Sequence, residues 1–475
     1  MKNIVVTTLA ALIAAGLSVV ACNPTDEETP TDTSTTDGGE VADSSVELTD
    51  SGTPADGSTT TDDASPDTGV APTEIEITVL SDNTPVSGAT VVFNDATGAI
   101  TSTMLTDAMG KITKAIAGGE TVTVANGAIV ADGGVGPSPD LVTIMAVKPG
   151  DKLVVPFYPG TTIPTVNVTL PTNPSAIEYE AQIGRSAEGS GTTINLQLEG
   201  SGSLPLPGAP FSVLAYAYGD ETFNVAFKKG QMLTGASTAV SFVGGTQPAS
   251  ASWSAGFGSV ISNFTGVDSL GEVYISDALT MVSDAMAFQT QLTDDNNTPT
   301  ARSNTYRTVS NFADSLQSMW FVADSGVRRV IKRAPGGTAM ITTAASELLP
   351  IVTPGAHDTT NATRPTYKWV LGSAATVDGT RITVITPDMR ADRWVEWHLL
   401  VPPGATEVKL PEVPNGALGS MLYLADITLV EGDFIANYDE FRALGSVMAT
   451  REIDQFMGGN RTTGALRTTA ISVAK

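Results

Sequence analysis

From residue 74 onward the chain is written in twos. Glu74-Ile75-Glu76-Ile77-Thr78-Val79 alternates polar and apolar, so Ile75, Ile77 and Val79 share one face, as a half-buried strand requires. Residues 88–93, 99–105, 111–117 and 121–124 read as further strands. They are separated by turn-forming stretches at 81–85, 94–98 and 106–110, and in the last two a glycine, Gly98 or Gly110, is available for positive φ. Pro171-Thr172-Asn173-Pro174 reads as a linker. Short strands are then expected at 177–183, 192–198, 211–218, 222–227, 239–243, 260–264 and 272–275, with a Gly/Ser/Pro loop over 200–208. Val309, Phe312, Leu316 and Met319 have helical spacing and predict a short helix before Trp320. Strands are expected again at 364–369, 380–386, 393–402, 406–414 and 421–430, with a closing strand at 465–473. The pattern predicts an all-β chain of two or three β-sandwich domains.

The first 72 residues follow other rules. Met1-Lys2 precedes an almost wholly apolar run over residues 4–20, the proportions of a secretory leader and marginal for a span, which needs about 20 apolar residues. Residues 17–22, Leu-Ser-Val-Val-Ala-Cys, resemble the lipobox of bacterial lipoproteins: aliphatic Val19, branched Val20, small Ala21, then the single cysteine of the chain. A membrane-spanning anchor or a buried helix would not account for a lone cysteine at that place. The resemblance implies that residues 1–21 are a signal peptide, that Cys22 is acylated, and that the protein is lipid-anchored in the bacterial cell envelope, at the outer membrane. Acylation also removes an oxidation-prone thiol from an exported protein.

Residues 22–72 form a Thr/Ser/Asp-rich tether. Thirteen Asp and Glu fall in 23–72, with no Lys, Arg or aromatic residue, so the segment cannot offset its ordering entropy by burial and is expected to be disordered. A coil of that length spans ~40 Å, and repulsion among the acids extends it. A cation reservoir is the alternative use of such acids, and a solvated spacer the simpler one.

Two further resemblances organise the rest. Pro85-Val86-Ser87-Gly88-Ala89-Thr90-Val91, the Thr106-Asp107-Ala108-Met109-Gly110-Lys111 hairpin and the stretch 143–151 resemble the carboxypeptidase regulatory-like domains, which are prealbumin-like β-sandwiches. The resemblance covers 73–170 and implies a structural or adhesive module without catalytic residues. Arg364-Pro365-Thr366-Tyr367-Lys368-Trp369 and the Leu410-Pro411 turn resemble fibronectin type III-like sandwiches, within a last segment, 350–475, that includes a C-terminal tail. Residues 171–349 form a β-rich segment without an assigned topology. Asp95 and Asp107 fit turn capping; a calcium role would need six to eight oxygens, and no dense acidic set surrounds them in sequence.

Charge then narrows the partners. Setting aside the thirteen spacer acids and the leader lysine, the net charge of −26 becomes −14 for residues 73–475. An acidic body argues against nucleic acid and against electrostatic docking on phospholipid. Motifs for chemistry are missing. Two histidines, His357 and His398, do not make a His-x-x-x-His zinc site; His357 reads as a surface loop residue and His398 as a strand residue that packs or faces solvent. Asp294-Asp295-Asn296-Asn297 reads as a solvated loop. No nucleophile elbow, phosphate loop or dinucleotide fingerprint occurs, and no metal, cofactor or catalytic residue is assigned. Trp253, Phe257, Phe264 and Trp320 could line a glycan-stacking face, though core burial is the stronger expectation. Two functions remain. One is a membrane-anchored lipoprotein, displayed at the surface or in the periplasm, with a non-catalytic binding or structural role toward an envelope protein or glycan. The alternative is an exported glycan hydrolase with accessory sandwiches, marked by paired carboxylates ~5–10 Å apart beside exposed aromatics.

Overall fold

The alternating pattern does produce strands. A computed structural model describes residues 73–474, apart from 82–83, 130–139, 158–163, 174, 185–186, 199–208, 220–222, 244–252, 254–255, 299, 359, 362–363, 373–375, 389–392, 415–423 and 449–461. The leader, Cys22 and the tether 22–72 lie outside the described residues. The described residues form an all-β structure of stacked sheets, as expected, with one α-helix among them, Tyr438–Met448.

One hydrogen-bonded sheet of twelve strands connects distant parts of the chain. It starts with Met286–Gln289, Tyr274–Ser283, Ser315–Ala323 and Val327–Pro335, and continues through Gly464–Ala474, Leu424–Gly432, Gly379–Asp388 and Arg393–Val401. Leu141–Val147, Glu120–Ala125, Thr90–Asn94 and Ile100–Leu105 complete it. Strands from 73–170, 171–349 and 350–475 thus share one ladder. At one joint the Arg393–Val401 strand runs parallel to Leu141–Val147, with Trp397 opposite Leu141 and Leu400 opposite Ile144. There Trp397 Nε1 donates to Thr143 Oγ1 at 2.8 Å, which satisfies the one polar atom of a fully buried ring.

Smaller sheets cover the large one. Glu74–Ser81, Lys111–Ala115 and Lys152–Phe157 lie over its N-terminal strands and bury Ile75, Ile77 and Val79, the face read from sequence. Val352–Pro354, Thr366–Leu371 and Glu407–Lys409 enclose a second core around Trp369, Ile382 and Trp397. A four-stranded sheet of Gln291–Thr298, Ala301–Val309, Phe257–Thr265 and Met340–Ala344 contributes Phe264 to a third core with Trp320 and Val322. Two more sheets, Ala187–Ser190/Glu178–Ile183/Phe211–Tyr218/Phe223–Gln231 and Thr193–Gln197/Thr165–Thr169/Ser237–Ser241, supply Val168, Leu196, Phe211 and Val213 to a further cluster.

Three expectations change. The helix read from Val309, Phe312, Leu316 and Met319 is absent: Val309 ends one strand, Leu316 begins the next, and Asn311 at φ +60° turns the chain between them. Val309, Phe312 and Leu316 are all buried, so the 3–4 spacing came from two strand ends and a turn converging on one core. Asp294-Asp295-Asn296-Asn297 lies on an edge strand, paired with 301–309 through a register shift at Leu292/Asp294. Every residue of that strand is exposed, so no burial period marks it in the sequence. Finally, the helix Tyr438–Met448 interrupts a tail in which only strands were expected. Asn437 Oδ1 caps it by accepting the N–H groups of Asp439 (2.9 Å) and Glu440 (3.0 Å).

Candidate functional site

The acids singled out in turns serve the turns. Asp95 Oδ1 accepts the Thr97 N–H at 2.8 Å, the Thr97 hydroxyl at 2.7 Å and the Ala99 N–H at 3.0 Å. These bonds, the Thr97 hydroxyl first, hold its carboxyl below the usual range. Asp107 Oδ1 accepts from Met109 and Lys111, both at 2.8 Å. Among the described residues no group of three or more His, Cys, Asp and Glu is placed to hold a metal ion. A shallow recess of about 610 Å³ is lined by Asp433, Glu440, Phe434 and Leu444, among others. Its carboxylates are engaged: Asp433 accepts from Arg467 (2.7 Å) and from the Ala465 N–H (3.1 Å), and Glu440 from the Ala436 N–H (2.9 Å).

His357, read as a surface loop residue, lies partly buried in its loop and is bonded there. Its Nδ1 accepts the Lys368 N–H at 3.0 Å and its ring meets Tyr367 edge-on, so it pins a loop to a strand. Burial pushes its pKa down. His398, 7% exposed, stands in a polar row on the large sheet. Its Nδ1 lies 3.1 Å from Thr383 Oγ1, and its Nε2 lies 3.1 Å from Glu396 Oε2. Burial lowers the imidazole pKa against the upward pull of Glu396. Hydroxyl, imidazole and carboxylate in sequence have the outline of a nucleophile relay. The backbone argues otherwise. Thr383 is 8% exposed in a strand paired on both sides, with His398 and with Asp426, so its neighbourhood is committed to ladder bonds rather than free to stabilise an oxyanion.

A second polar layer lies between sheets. Ser262 and Asn304 point inward from the four-stranded sheet toward Asp277 and Ser318 of the large one. Ser262 Oγ and Ser318 Oγ are 2.8 Å apart, and Asn304 Nδ2 donates to Asp277 Oδ1. Among the described residues Asp277 has no ion-pair partner, and burial raises its pKa, with Asp295 adding to the rise. The hydroxyls of Tyr306 and Ser262 and the Asn304 amide pull the other way. Two buried atoms lack partners, Asp277 Oδ2 and Asn304 Oδ1. A protonated carboxyl facing the Asn304 carboxamide supplies a donor for Asn304 Oδ1, a bond that the carboxylate cannot make. With the folded-state pKa raised, this group's stabilisation is full below the ordinary carboxylate range and is lost as pH rises through the folded value. Asp277→Asn, which keeps a donor at every pH, is therefore expected to be more stable than the native chain by ~1–2 kcal/mol near neutrality. The advantage should vanish below about pH 4. Melting curves of both proteins across that range measure it, and a loss of stability at all pH values would show that the ionised carboxylate holds the layer.

The four aromatics named from sequence divide. Phe264 and Trp320 are fully buried, with ring centroids 5.1 Å apart. Trp253 is half-buried against Tyr179, and its Nε1 donates to Pro171 O at 3.0 Å. Phe257 is 37% exposed. Its ring stacks on Phe223 (5.0 Å, 13°), which stacks in turn on Tyr216 (5.3 Å, 12°). The Arg307 guanidinium lies 5.4 Å from the Phe257 centroid and 5.5 Å from that of Phe223. Tyr218 closes the group 5.0 Å from Phe223, its hydroxyl donating to Glu180 Oε2 at 2.8 Å. Burial first, and Glu180 second, push the Tyr218 pKa up. Tyr216, Phe223 and Arg307 escaped sequence reasoning because they come from separate strands of two sheets, brought together by strand pairing within each sheet and ring stacking between them.

Comparison with known proteins adds no assignment. No family model matches the chain, and no curated protein matches it. Among solved structures, the Bacillus anthracis TIE protein overlaps at a TM-score of 0.15 and 10% identity, over 58% of this chain and 50% of that one. The chain therefore spans about half the length of the TIE protein. A protein of Bacteroides ovatus provisionally named an adhesin overlaps at a TM-score of 0.13 and 7% identity, over 38% of this chain and 80% of that one. The E. coli alpha-2-macroglobulin overlaps at 0.10 and 10% identity, over 81% and 26%. Overlap of this extent carries neither fold family nor function across.

Proposed function

We propose that the protein is a lipid-anchored component of the bacterial envelope whose β-sheet body binds a partner and performs no catalysis. The observation that carries the binding part is a contrast in how polar groups are used. The acids and histidines described above cap turns, bridge strands or lie between sheets, while the outward side of the four-stranded sheet stays open to solvent. Catalysis needs poised groups converging on a reacting atom, and binding needs an accessible, rigid surface. The anchoring part rests on the lipobox pattern at residues 17–22 and on the charge of the tether. Among the described residues no helix is long and apolar enough to cross a membrane.

Cys22→Ser tests the anchor. Cells fed an alkyne fatty acid should label the native full-length chain and fractionate it with membranes, whereas the Cys22→Ser chain should carry no label. Label on that variant overturns acylation at Cys22. New reducing ends, released by the native chain from a panel of glycans, would overturn the non-catalytic part.

A further inference from the structure

The strand Phe257–Thr265 has two unlike sides. Val260, Ser262 and Phe264 are buried, while Ser259 and Ile261 are exposed and Asn263 half-exposed. The neighbouring strand repeats the division: Asn304 and Tyr306 are buried, and Arg307 is exposed opposite Ser259. Met340 and Thr342 are exposed on the other flank, with Met340 opposite Ile261. The edge strand Gln291–Thr298 is exposed throughout. The result is an open face, with strands ~4.8 Å apart and up to ~30 Å long.

Its chemistry is selective. Ser, Thr and Asn recur at outward positions, short side chains that both donate and accept without charge, beside the exposed apolar Ile261 and Met340. By register only Arg307 and Asp294 bring charge to it, one of each sign, on a chain of net charge −26. Cationic partners find no acidic patch on this face, and anionic ones are repelled by the body as a whole. At one end stands the exposed Phe257 ring, backed by Phe223 and Tyr216, with the Arg307 guanidinium beside the Phe257/Phe223 pair at nearly equal distance from both rings. A rigid ring of this kind offers an apolar surface at low entropic cost, and Arg307 adds fixed donors beside it. Small molecules prefer concave sites, whereas an open, elongated face suits an extended polymer.

We propose that the outward face of the four-stranded sheet binds a neutral polysaccharide, with Phe257 stacking on a sugar ring and Arg307 with the Ser, Thr and Asn rows bonding its hydroxyls. This deepens the binding reading above and rests on it.

The test uses the full-length chain in detergent micelles, sedimented with insoluble cellulose, β-1,3-glucan or starch. Soluble polygalacturonate and chondroitin sulfate are followed by affinity electrophoresis. The native chain should bind at least one neutral polymer. Phe257→Ala and Arg307→Ala should each weaken that binding about tenfold, with unchanged melting temperature. Val370→Ala, an exposed residue on another sheet, should bind as the native chain does. Retention of neutral polymer undiminished in both platform variants overturns this face while leaving the binding reading intact. Binding to the anionic polymers alone, or to none of the polymers, overturns the ligand class. Hydrolysis of a bound polymer would instead remove the non-catalytic reading and leave the platform standing.

Discussion

Gly110→Val is expected to cost about 3 kcal/mol and to lower the melting temperature of the chain by ~5 °C or more. Two effects add. Gly110 sits at φ +68°, a left-handed conformation in which a β-carbon is penalised and a branched one more so. A Cβ built there would also stand 2.6 Å from Val79 O, 2.9 Å from Val86 N and 3.2 Å from Pro85 Cα, all backbone atoms that cannot rotate away. The same turn is held by the Val79 N–H donating to Gly110 O at 2.8 Å and by Asp107 capping, so relief at Gly110 shifts the Glu74–Ser81 strand. Gly98→Val is the informative comparison. Gly98 also has positive φ, +80°, but the nearest atom to its Cβ is a side-chain nitrogen, Arg364 Nη2, at 2.7 Å, and the nearest backbone atom, Pro411 Cα, stands at 3.3 Å. Its loss should be smaller. Calorimetry of the two variants in the full chain measures the difference, and equal melting temperatures would show that the Gly110 turn relaxes after all.

What could be read from sequence follows from where the information lies. Residues 74–79 alternate because one side of that strand is buried and the other is wet, and that periodicity is local. The edge strand 291–298 has no buried side, so Asp294-Asp295-Asn296-Asn297 carries only the turn preferences of its residues. At 309–319 the local spacing was real but its cause was tertiary, since Phe312 is buried from a turn. The helix cap, by contrast, was legible: Asn437 followed three residues later by Glu440 is a start signal, masked by expectations of strand on both sides. Of the candidate surface, Phe257 was named beforehand as an aromatic and Asp294-Asp295-Asn296-Asn297 as a loop. Arg307 reaches it through the pairing of Ser259 with Arg307, and Phe223 and Tyr216 through ring stacking from a neighbouring sheet, neither of which a local pattern encodes. Nor does any local pattern announce that 393–401 pairs with 141–147.

That last joint is where the largest loss is expected. Arg442 of the helix is 2% exposed, and its guanidinium forms a fork on Asp151, Nη1 to Oδ2 at 2.5 Å and Nη2 to Oδ1 at 3.1 Å. Nη2 also donates to Asp439 Oδ1 at 2.5 Å. Burial opposes the charge, and the carboxylates of Asp151 and Asp439 more than compensate, raising the Arg442 pKa. Nearby, the Tyr438 hydroxyl lies within hydrogen-bond reach of Leu400 O (2.9 Å) and Met145 O (3.1 Å), one from each strand of the parallel joint. The helix therefore locks the C-terminal part of the large sheet to the turn after residue 147, and Phe441 fills the core beneath. Arg442→Ala would leave the Asp151 carboxylate, whose side chain is 15% exposed, without its cation, and the expected cost is ~3–5 kcal/mol. Arg442→Lys keeps a charge but not the fork, and should recover only part of it. Arg442→Ala with Asp151→Ala removes both charges and should be more stable than Arg442→Ala alone, because the loss in the single variant lies mainly in the stranded carboxylate. Hydrogen exchange supplies the local readout: the amides of residues 141–147 and 393–401 should lose protection together in Arg442→Ala. Protection unchanged in both strands, or a double variant no better than the single one, would show that the helix rides on the sheet without securing the joint.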